Sequence, residues 1–412
     1  MTHVRNLIAV ILIAMTWACS TAEAEEPVPF LDYQRDVLNH VRAGRISDAR
    51  NLEAEVALNG PREWWPAKSG RGTKPEKGIL LVHGLGDSPW TFNDVAQEFV
   101  KHGFLVRTIL LPGHGTHPND MLDVELEQWQ KVVQEQAATL KQDVEQVYLG
   151  GFSTGANLVT EYAYENDDIA GLVLFSPAFK SSTRFDWMTP LISWVRPWLL
   201  SPEGGRPLQN AVRYFMVPTN GFAQFYRSSV AVRRALKKRP YKKPVFMVVS
   251  QHDSVLDADY LLDVFENRFT NPASRLIWYG TIPARVSDTE RVIVRTDQLP
   301  SHRISQFSHM GILFSPENSL YGEHGSLRIC WNGQEEAATE ACSGRATVWY
   351  SDWGYRERGK IHARLTFNPY FQWQNSVMLW VIDGDGSTTS SKSVPSPSHP
   401  AESVQIQGTS VH

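Results

Sequence analysis

Short runs of apolar residues alternate with longer stretches in which apolar residues recur at helical spacing, beginning near Gly78. Runs of this kind are typical of parallel strands that are covered by helices on both faces. The pattern predicts strands at Ile79–Val82, Leu105–Leu111, Val147–Gly151, Ala170–Phe175, Val245–Ser250 and Arg275–Tyr279. It predicts helices at residues 91–102, 123–143, 154–165 and 257–269. We therefore expect an α/β fold with a mostly parallel central sheet flanked by helices.

Apolar residues also recur at helical spacing outside the region of alternating strands and helices. Residues 30–58 predict two short helices that form a hairpin, with Gly44 as the stop between them. The stretch from Gly60 to Gly78 is rich in Gly, Pro and Lys, which predicts an exposed link or a surface hairpin. Asn368 and Pro369 predict the N-cap and first residue of a last helix. We assign residues 25–74 to the hairpin and link, and residues 75–384 to the main domain.

Two insertions and a tail depart from the pattern. Residues 180–243 lie between two predicted strands and are much richer in aromatic residues than a simple connection requires, so we interpret them as a helical cap. Residues 315–365 form a second insertion, which contains Cys330 and Cys342. Residues 385–412 are rich in Ser, Thr, Pro and Gly and have almost no large apolar side chains, which predicts disorder.

The first residues have the pattern of an export signal. A short basic segment precedes an apolar run, Leu7 to Ala18, which is shorter than the about 20 residues that a membrane-spanning helix needs. Cleavage after Ala24 makes residues 1–24 a signal peptide, while the alternative is a lipoprotein signal ending at residue 18 with a lipid on Cys19. A buried core strand is a third interpretation. We expect an exported protein, periplasmic or secreted, which is membrane-anchored if Cys19 carries a lipid.

Composition excludes several classes of protein. The chain has 412 residues, a formal net charge of −4 and three cysteines, and it is not collagen-like, disulfide-dense or wholly disordered. The absence of a basic excess argues against nucleic acid as a partner. In an oxidising compartment Cys330 and Cys342 can pair as a disulfide that closes a small loop, and two unpaired cysteines are the alternative.

A candidate nucleophile lies in Gly151-Phe152-Ser153-Thr154-Gly155, between a predicted strand and a predicted helix. The motif has the form G-x-S-x-G, in which the glycines permit a turn so tight that side chains would clash there. Strain in that turn holds the serine hydroxyl out at the edge of the sheet. We predict Ser153 as a nucleophile, and an ordinary glycine-rich turn is the alternative.

A serine nucleophile requires a base and an orienting carboxylate, which should follow it in the order acid, then histidine. Asp253 lies three residues beyond a predicted strand and is the predicted acid, whereas Asp257 is more typical of the cap of the next helix. His309 is bounded by small and apolar residues and is the predicted base, with His302 as the alternative.

Backbone N–H groups usually stabilise the negative oxygen that forms in acyl transfer. His83-Gly84-Leu85-Gly86 directly follows a predicted strand, so that the Leu85 amide should lie beside the serine turn. The Thr154 amide is the second predicted donor. We interpret His83 itself as structural.

These motifs, together with Leu111-Pro112-Gly113-His114-Gly115, resemble the α/β-hydrolase superfamily. The stretch Leu111–Gly115 and the placement of the cap resemble its carboxylesterase, monoacylglycerol-lipase and S33-like serine aminopeptidase group. The resemblance covers residues 75–384. It implies a serine hydrolase without cofactor or metal, in which Ser153 attacks an acyl carbonyl, His309 transfers the proton, Asp253 orients the imidazole, and Leu85 and Thr154 bind the oxyanion. The separation between Arg275–Tyr279 and His309 departs from compact members and includes a strand-like run, Arg291–Arg295.

The aromatic cap favours an apolar acyl or alkyl group, which predicts a small-molecule or lipid ester as substrate. The basic run from Arg233 to Lys243 is either a solvated helix face or a contact for anionic headgroups of a membrane. The expected function is an exported carboxylic-ester hydrolase of the esterase or lipase type. The alternatives are a peptidase or amidase of the same fold and a non-catalytic binding module.

Overall fold

The computed structural model describes residues 28–47, 50–67, 74–202, 207–383 and Pro395. The predicted signal peptide with Cys19 lies outside these residues, as does the predicted tail apart from Pro395. Within the described part of the chain, no helix is both long enough and apolar enough to cross a membrane.

The main sheet is formed by strands that are mostly buried along their whole length. Their bounds are β1 (Arg62–Trp64), β2 (Lys77–Val82), β3 (Phe104–Ile109), β4 (Gln146–Phe152), β5 (Ile169–Phe175), β6 (Val245–Ser250), β7 (Arg275–Tyr279) and β8 (Val292–Arg295). The strand order is β1-β3-β2-β4-β5-β6-β7-β8, with β1 antiparallel to β3 and every other neighbouring pair parallel. The six predicted strands are confirmed, with bounds that differ by at most two residues.

Helices cover both faces of the sheet. Those of the described residues are α1 (Phe30–Gly44), α2 (Leu52–Asn59), α3 (Asn93–Lys101), α4 (Leu126–Asp143), α5 (Thr154–Glu165), α6 (Thr189–Ile192), α7 (Thr219–Lys238), α8 (Ala258–Arg268), α9 (Glu336–Ser343) and α10 (Phe371–Asp383). Successive side chains of a strand point to opposite faces. In β2, Leu80 therefore joins a core with α4, α5 and α8, while Ile79 joins a second core with α3 and α10.

The N-terminal helices α1 and α2 pack against the loop that follows β3. Val41 and Val56 form a small core with Leu110, and the Tyr33 hydroxyl donates a hydrogen bond to Leu110 O over 3.3 Å. The buried guanidinium of Arg45 pairs with Glu55 and donates to the carbonyls of Gly115 and Asn210. This arginine therefore ties the hairpin both to the loop after β3 and to the segment predicted as a cap.

Both insertions contain short regular elements. Residues 180–243 carry α6 and α7 between β5 and β6. Residues 315–365 carry α9 and a separate two-stranded parallel sheet of β9 (Val348–Ser351) and β10 (Ile361–Arg364). Cys330 and Cys342 form a disulfide in this insertion, with their Cα atoms 5.5 Å apart.

The structure adds two edge strands to the predicted six. Arg62–Trp64 lies in the stretch predicted as an exposed link or surface hairpin, and that prediction is wrong there because these residues pair with the free edge of β3. Three residues are too few to show an alternating pattern. At the opposite edge, the strand-like run before His309 is β8, which pairs in parallel with β7.

Candidate functional site

Ser153 occupies a strained turn between β4 and α5. Its φ is +54°, which is uncommon for a residue with a side chain. A Cβ on Gly155 would lie 2.0 Å from Val82 O, and a Cβ on Gly151 would lie 2.4 Å from the amide nitrogen of Ala156. The backbone at both positions therefore approaches its neighbours too closely for any other residue. The predicted strand, turn and helix around Ser153 are confirmed.

Asp253 and His309 form a buried pair. The loop after β6 places Asp253 so that one carboxylate oxygen accepts from the amides of Val255 and Leu256, over 2.9 and 3.1 Å. The other oxygen lies 2.6 Å from His309 Nδ1. Since the carboxylate accepts the Nδ1 proton, Nε2 is left as the basic nitrogen. The imidazole also contacts the ring of Phe152, the neighbour of Ser153, with the ring centroids 4.9 Å apart.

The two alternative residues have other partners. Asp257 caps α8 by accepting from the Tyr260 amide over 2.9 Å, and it pairs with Lys180. The ring of His302 lies 3.3 Å from the Glu323 carboxylate. Neither makes a contact with Asp253 or His309, so the geometry favours Asp253 and His309 as the acid and the base.

The loop after β2 packs directly on the serine turn. A Cβ on Gly84 would lie 3.1 Å from Ser153 Cβ, which is tighter than most Cβ contacts and shows how closely the loop approaches the turn. Thr154 is the first residue of α5, so its N–H has no partner within the helix. Among the described residues, no acceptor takes a hydrogen bond from the Leu85 N–H. Both amides are thus available to an anionic oxygen.

Two buried histidines hold this loop. His83 donates from Nδ1 to Gly84 O and accepts from the Leu111 amide, while His114 donates to Pro112 O and accepts from the Gly86 amide. Burial lowers the pKa of His114 to about 4 and lowers the pKa of His83 well below its usual value. Both rings stay neutral at neutral pH, so each keeps one donor and one acceptor nitrogen. The structure therefore supports a structural role for His83 and gives His114 the same role.

Asp352 is a buried residue of the second insertion that the sequence analysis did not single out. Its carboxylate accepts from the Ser254 amide, next to Asp253, and from the His309 amide over 3.4 Å. Burial raises the pKa of the Asp352 carboxyl, and the Arg364 guanidinium acts in the opposite direction. The residue lies 98 positions beyond Ser254 in the chain. No local sequence motif predicts this contact, because it forms only when the second insertion packs against the site.

Asp87 and Arg213 are a second pair that sequence patterns do not show. A Cβ on Gly84 would lie 3.2 Å from Asp87 Oδ2, which places this carboxylate beside the serine turn. Arg213, in the cap segment, lies 3.5 Å from Asp87 and 2.9 Å from the sulfur of Met310. Burial raises the pKa of the Asp87 carboxyl, although the charge of Arg213 opposes this. The guanidinium of Arg213, a residue of the cap segment, thus contacts Met310, which directly follows His309 in the chain.

Part of the basic run in the cap is engaged within the protein. Arg233 donates to Phe179 O over 2.7 Å, and Arg239 donates to Tyr164 O and pairs with Asp167. These contacts fit the solvated helix face better than a contact for headgroups. No group of three or more His, Cys, Asp or Glu side chains that could hold a metal ion occurs among the residues described.

Comparison with known proteins gives a family match. Residues 73–269 match the family model described as serine aminopeptidase, S33, a range that includes Ser153 and Asp253 and ends before His309. A thermostable monoacylglycerol lipase of Bacillus sp. (strain H-257) is 35% identical over 101 residues, which cover 24% of this chain and 40% of that enzyme. The match thus spans about two fifths of the length of this curated relative.

Solved structures with a similar fold include two monoacylglycerol lipases. The enzyme of Paleococcus ferrophilus is 20% identical, with a TM-score of 0.41, and the match covers 53% of this chain and 87% of that one. A soluble variant of monoglyceride lipase from Saccharomyces cerevisiae is 16% identical, with a TM-score of 0.42, and the match covers 53% of this chain and 81% of that one.

Proposed function

We propose that this chain, which has the α/β-hydrolase fold and matches the serine aminopeptidase S33 family model over residues 73–269, cleaves carboxylic esters through Ser153. The observation that carries the proposal is the hydrogen bond between His309 and Asp253 beside the strained turn of Ser153. A base with an orienting acid next to a serine in a strained turn is the arrangement that activates a hydroxyl for acyl transfer. The Bacillus relative is named for a lipid ester substrate, which supports the same class for this chain.

The proposed reaction proceeds in two halves. Ser153 Oγ attacks the acyl carbonyl while His309 Nε2 takes its proton, and the Leu85 and Thr154 amides stabilise the oxyanion. The C–O bond to the alcohol then breaks, and the alcohol leaves with the proton from His309. In the second half, water gives its proton to His309 and attacks the acyl-enzyme, and the carboxylic acid leaves as Ser153 recovers its proton. Asp253 stays ionised and holds the imidazole throughout.

The cap segment supports action at a lipid surface. Residues 185–200 carry large apolar side chains that are strongly exposed, with Trp194 at 84% and Val195 at 83%. The others in this segment are Phe185, Trp187, Leu191, Leu199 and Leu200. The same residues include only two charged side chains, Asp186 and Arg196. Large apolar patches are rare on soluble monomers, and Trp side chains favour the membrane interface, so we propose that this segment contacts a lipid surface.

We also propose that the chain is exported. The disulfide between Cys330 and Cys342 supports an oxidising compartment. A lipid on Cys19 is the proposed anchor if the lipoprotein signal is used.

A series of p-nitrophenyl esters from acetate to palmitate tests the proposed activity. We expect hydrolysis by the mature protein, and a decrease of at least about a thousandfold in kcat for Ser153→Ala and for His309→Ala, since either change removes the proton-coupled attack. The exposed variant Asp123→Asn is the matched control and should retain the parent rate. No hydrolysis of any ester by folded protein, or full activity in Ser153→Ala, would refute the proposal; hydrolysis of amides alone would favour the peptidase alternative.

A further inference from the structure

A cleft of about 380 Å³ lies between the cap segment and the second insertion. Its walls include Arg213 from the cap, Arg328 and Arg364 from the insertion, and the apolar side chains of Phe215, Ile329 and Trp331. We call it the arginine cleft. Its volume is within the range of small-ligand sites, which is about 300–1,000 Å³.

The cleft has an excess of positive charge. No acidic side chain is among its lining residues in the described part of the chain. Among the described residues, Arg328 and Arg364 form no ion pair, and the one ion pair of Arg213 is with Asp87, over 3.5 Å. Arg328 donates a hydrogen bond to Cys342 O over 3.3 Å. Arg364 donates to Asn332 over 2.7 Å, and the charges of Asp352 and Asp253 favour its protonated form. The lining of the cleft thus combines three guanidinium groups with no carboxylate, which favours an anion as its ligand.

The segments that line the cleft contact the loops of the predicted serine site. Tyr214, which lines the cleft next to Arg213, donates from its amide to Gly86 O in the predicted oxyanion loop over 2.6 Å. Arg213 contacts Met310, the neighbour of His309. On the other wall, Leu365 follows Arg364, and its carbonyl accepts from the Ser308 hydroxyl over 2.5 Å. The segments that line the cleft therefore also contact the predicted oxyanion loop and the neighbours of His309.

We propose that the arginine cleft binds an anionic group, a phosphate or a carboxylate, that belongs to the ester substrate. This inference rests on the proposed function and adds a substrate class to it. Guanidinium groups bind the paired oxygens of both anions, while Phe215, Ile329 and Trp331 offer an apolar surface to the carbon skeleton that carries the anion. A second cleft, which shares Arg328 and Arg364, is also lined by Glu323, and this carboxylate disfavours an anion there.

Three dodecanoyl esters with the same acyl chain test this inference: those of glycerol, of glycerol phosphate and of glyceric acid. We expect kcat/KM to be about tenfold higher for both charged esters than for the neutral one, chiefly through KM. A preference for the phosphate ester alone identifies a phospholipid-type headgroup, and a preference for both identifies a general anion site. Equal values for all three esters would overturn the inference.

Arg328→Gln is the most informative variant because this side chain is exposed, with a hydrogen bond to Cys342 O over 3.3 Å. Thermal unfolding shows whether the variant is folded. We expect it to decrease the charged-to-neutral ratio of kcat/KM by about tenfold, with Arg328→Lys restoring part of the ratio. Arg345→Gln, an exposed arginine of the same insertion outside the cleft, is the control and should keep the parent ratio. A ratio in Arg328→Gln equal to that of the parent would contradict the inference.

Binding without turnover separates this inference from the proposed function. Calorimetry with Ser153→Ala should show tighter binding of the glycerol phosphate ester than of the neutral ester, and added NaCl should weaken that preference. If Ser153→Ala binds in this way while the parent protein hydrolyses no ester, the anion site stands and the proposed activity fails. If the parent hydrolyses the neutral ester and Ser153→Ala shows no preference, the anion site fails alone.

Discussion

At the scale of single residues, Asp352 has the most consequential position outside the Ser153, His309 and Asp253 set. The Asp352 carboxylate accepts one hydrogen bond from the amide of Ser254, which follows Asp253, and one from the amide of His309. Asp352 therefore aligns the side chains of Asp253 and His309, and it need not contact the substrate to do so. A displacement of about 1 Å in such an arrangement can cost about a hundredfold in rate.

We expect Asp352→Asn to decrease kcat for p-nitrophenyl butyrate by about tenfold and Asp352→Ala by about a hundredfold, with little change in KM, because only the alignment of the pair is altered. Steady-state kinetics measure the two constants separately, and thermal unfolding shows whether each variant is folded. Asp123→Asn again serves as the control. A change confined to KM, or parent kinetics in folded Asp352→Ala, would show that Asp352 does not position the pair.

At the scale of elements, the strands and the serine turn were predictable because their signals are local. The apolar run of β6, Val245 to Val249, predicts a buried strand by itself, and the glycines around Ser153 predict a tight turn by themselves. The contacts of Asp352, Asp87 and Arg213 were not predictable, because each joins segments that are distant in sequence. Edge strand β1 was missed for a related reason, since its hydrogen bonds depend on the free edge of β3.

The cap helix α6 and its flanks give a prediction at this scale. The double variant Trp194→Ser, Val195→Ser should decrease binding to vesicles of phosphatidylcholine and phosphatidylglycerol by about tenfold or more, since two of the most exposed apolar side chains are lost. Vesicle sedimentation measures the bound fraction. Trp65→Ser changes an exposed tryptophan outside the cap and should bind as the parent does. Unchanged binding of the double variant would contradict a lipid contact by the cap.

At the scale of the whole molecule, segments outside the main sheet support the site from several sides. The N-terminal hairpin reaches the loop after β3 and the cap through Arg45. The disulfide-bonded insertion supplies Asp352 to the pair and Arg364 to the arginine cleft. The additions to the sheet thus hold the proposed catalytic loops in place and shape the space beside them.

Covalent labelling with a fluorophosphonate tests the central claim most directly, because this reagent reacts with an activated serine and needs no knowledge of the substrate. Intact-mass measurement should show one adduct on the parent protein, peptide mapping should place it on Ser153, and His309→Ala should label far more slowly. Folded Ser153→Ala should remain unlabelled. An adduct on another residue, or an unlabelled parent protein, would contradict the assignment of Ser153 as an activated nucleophile.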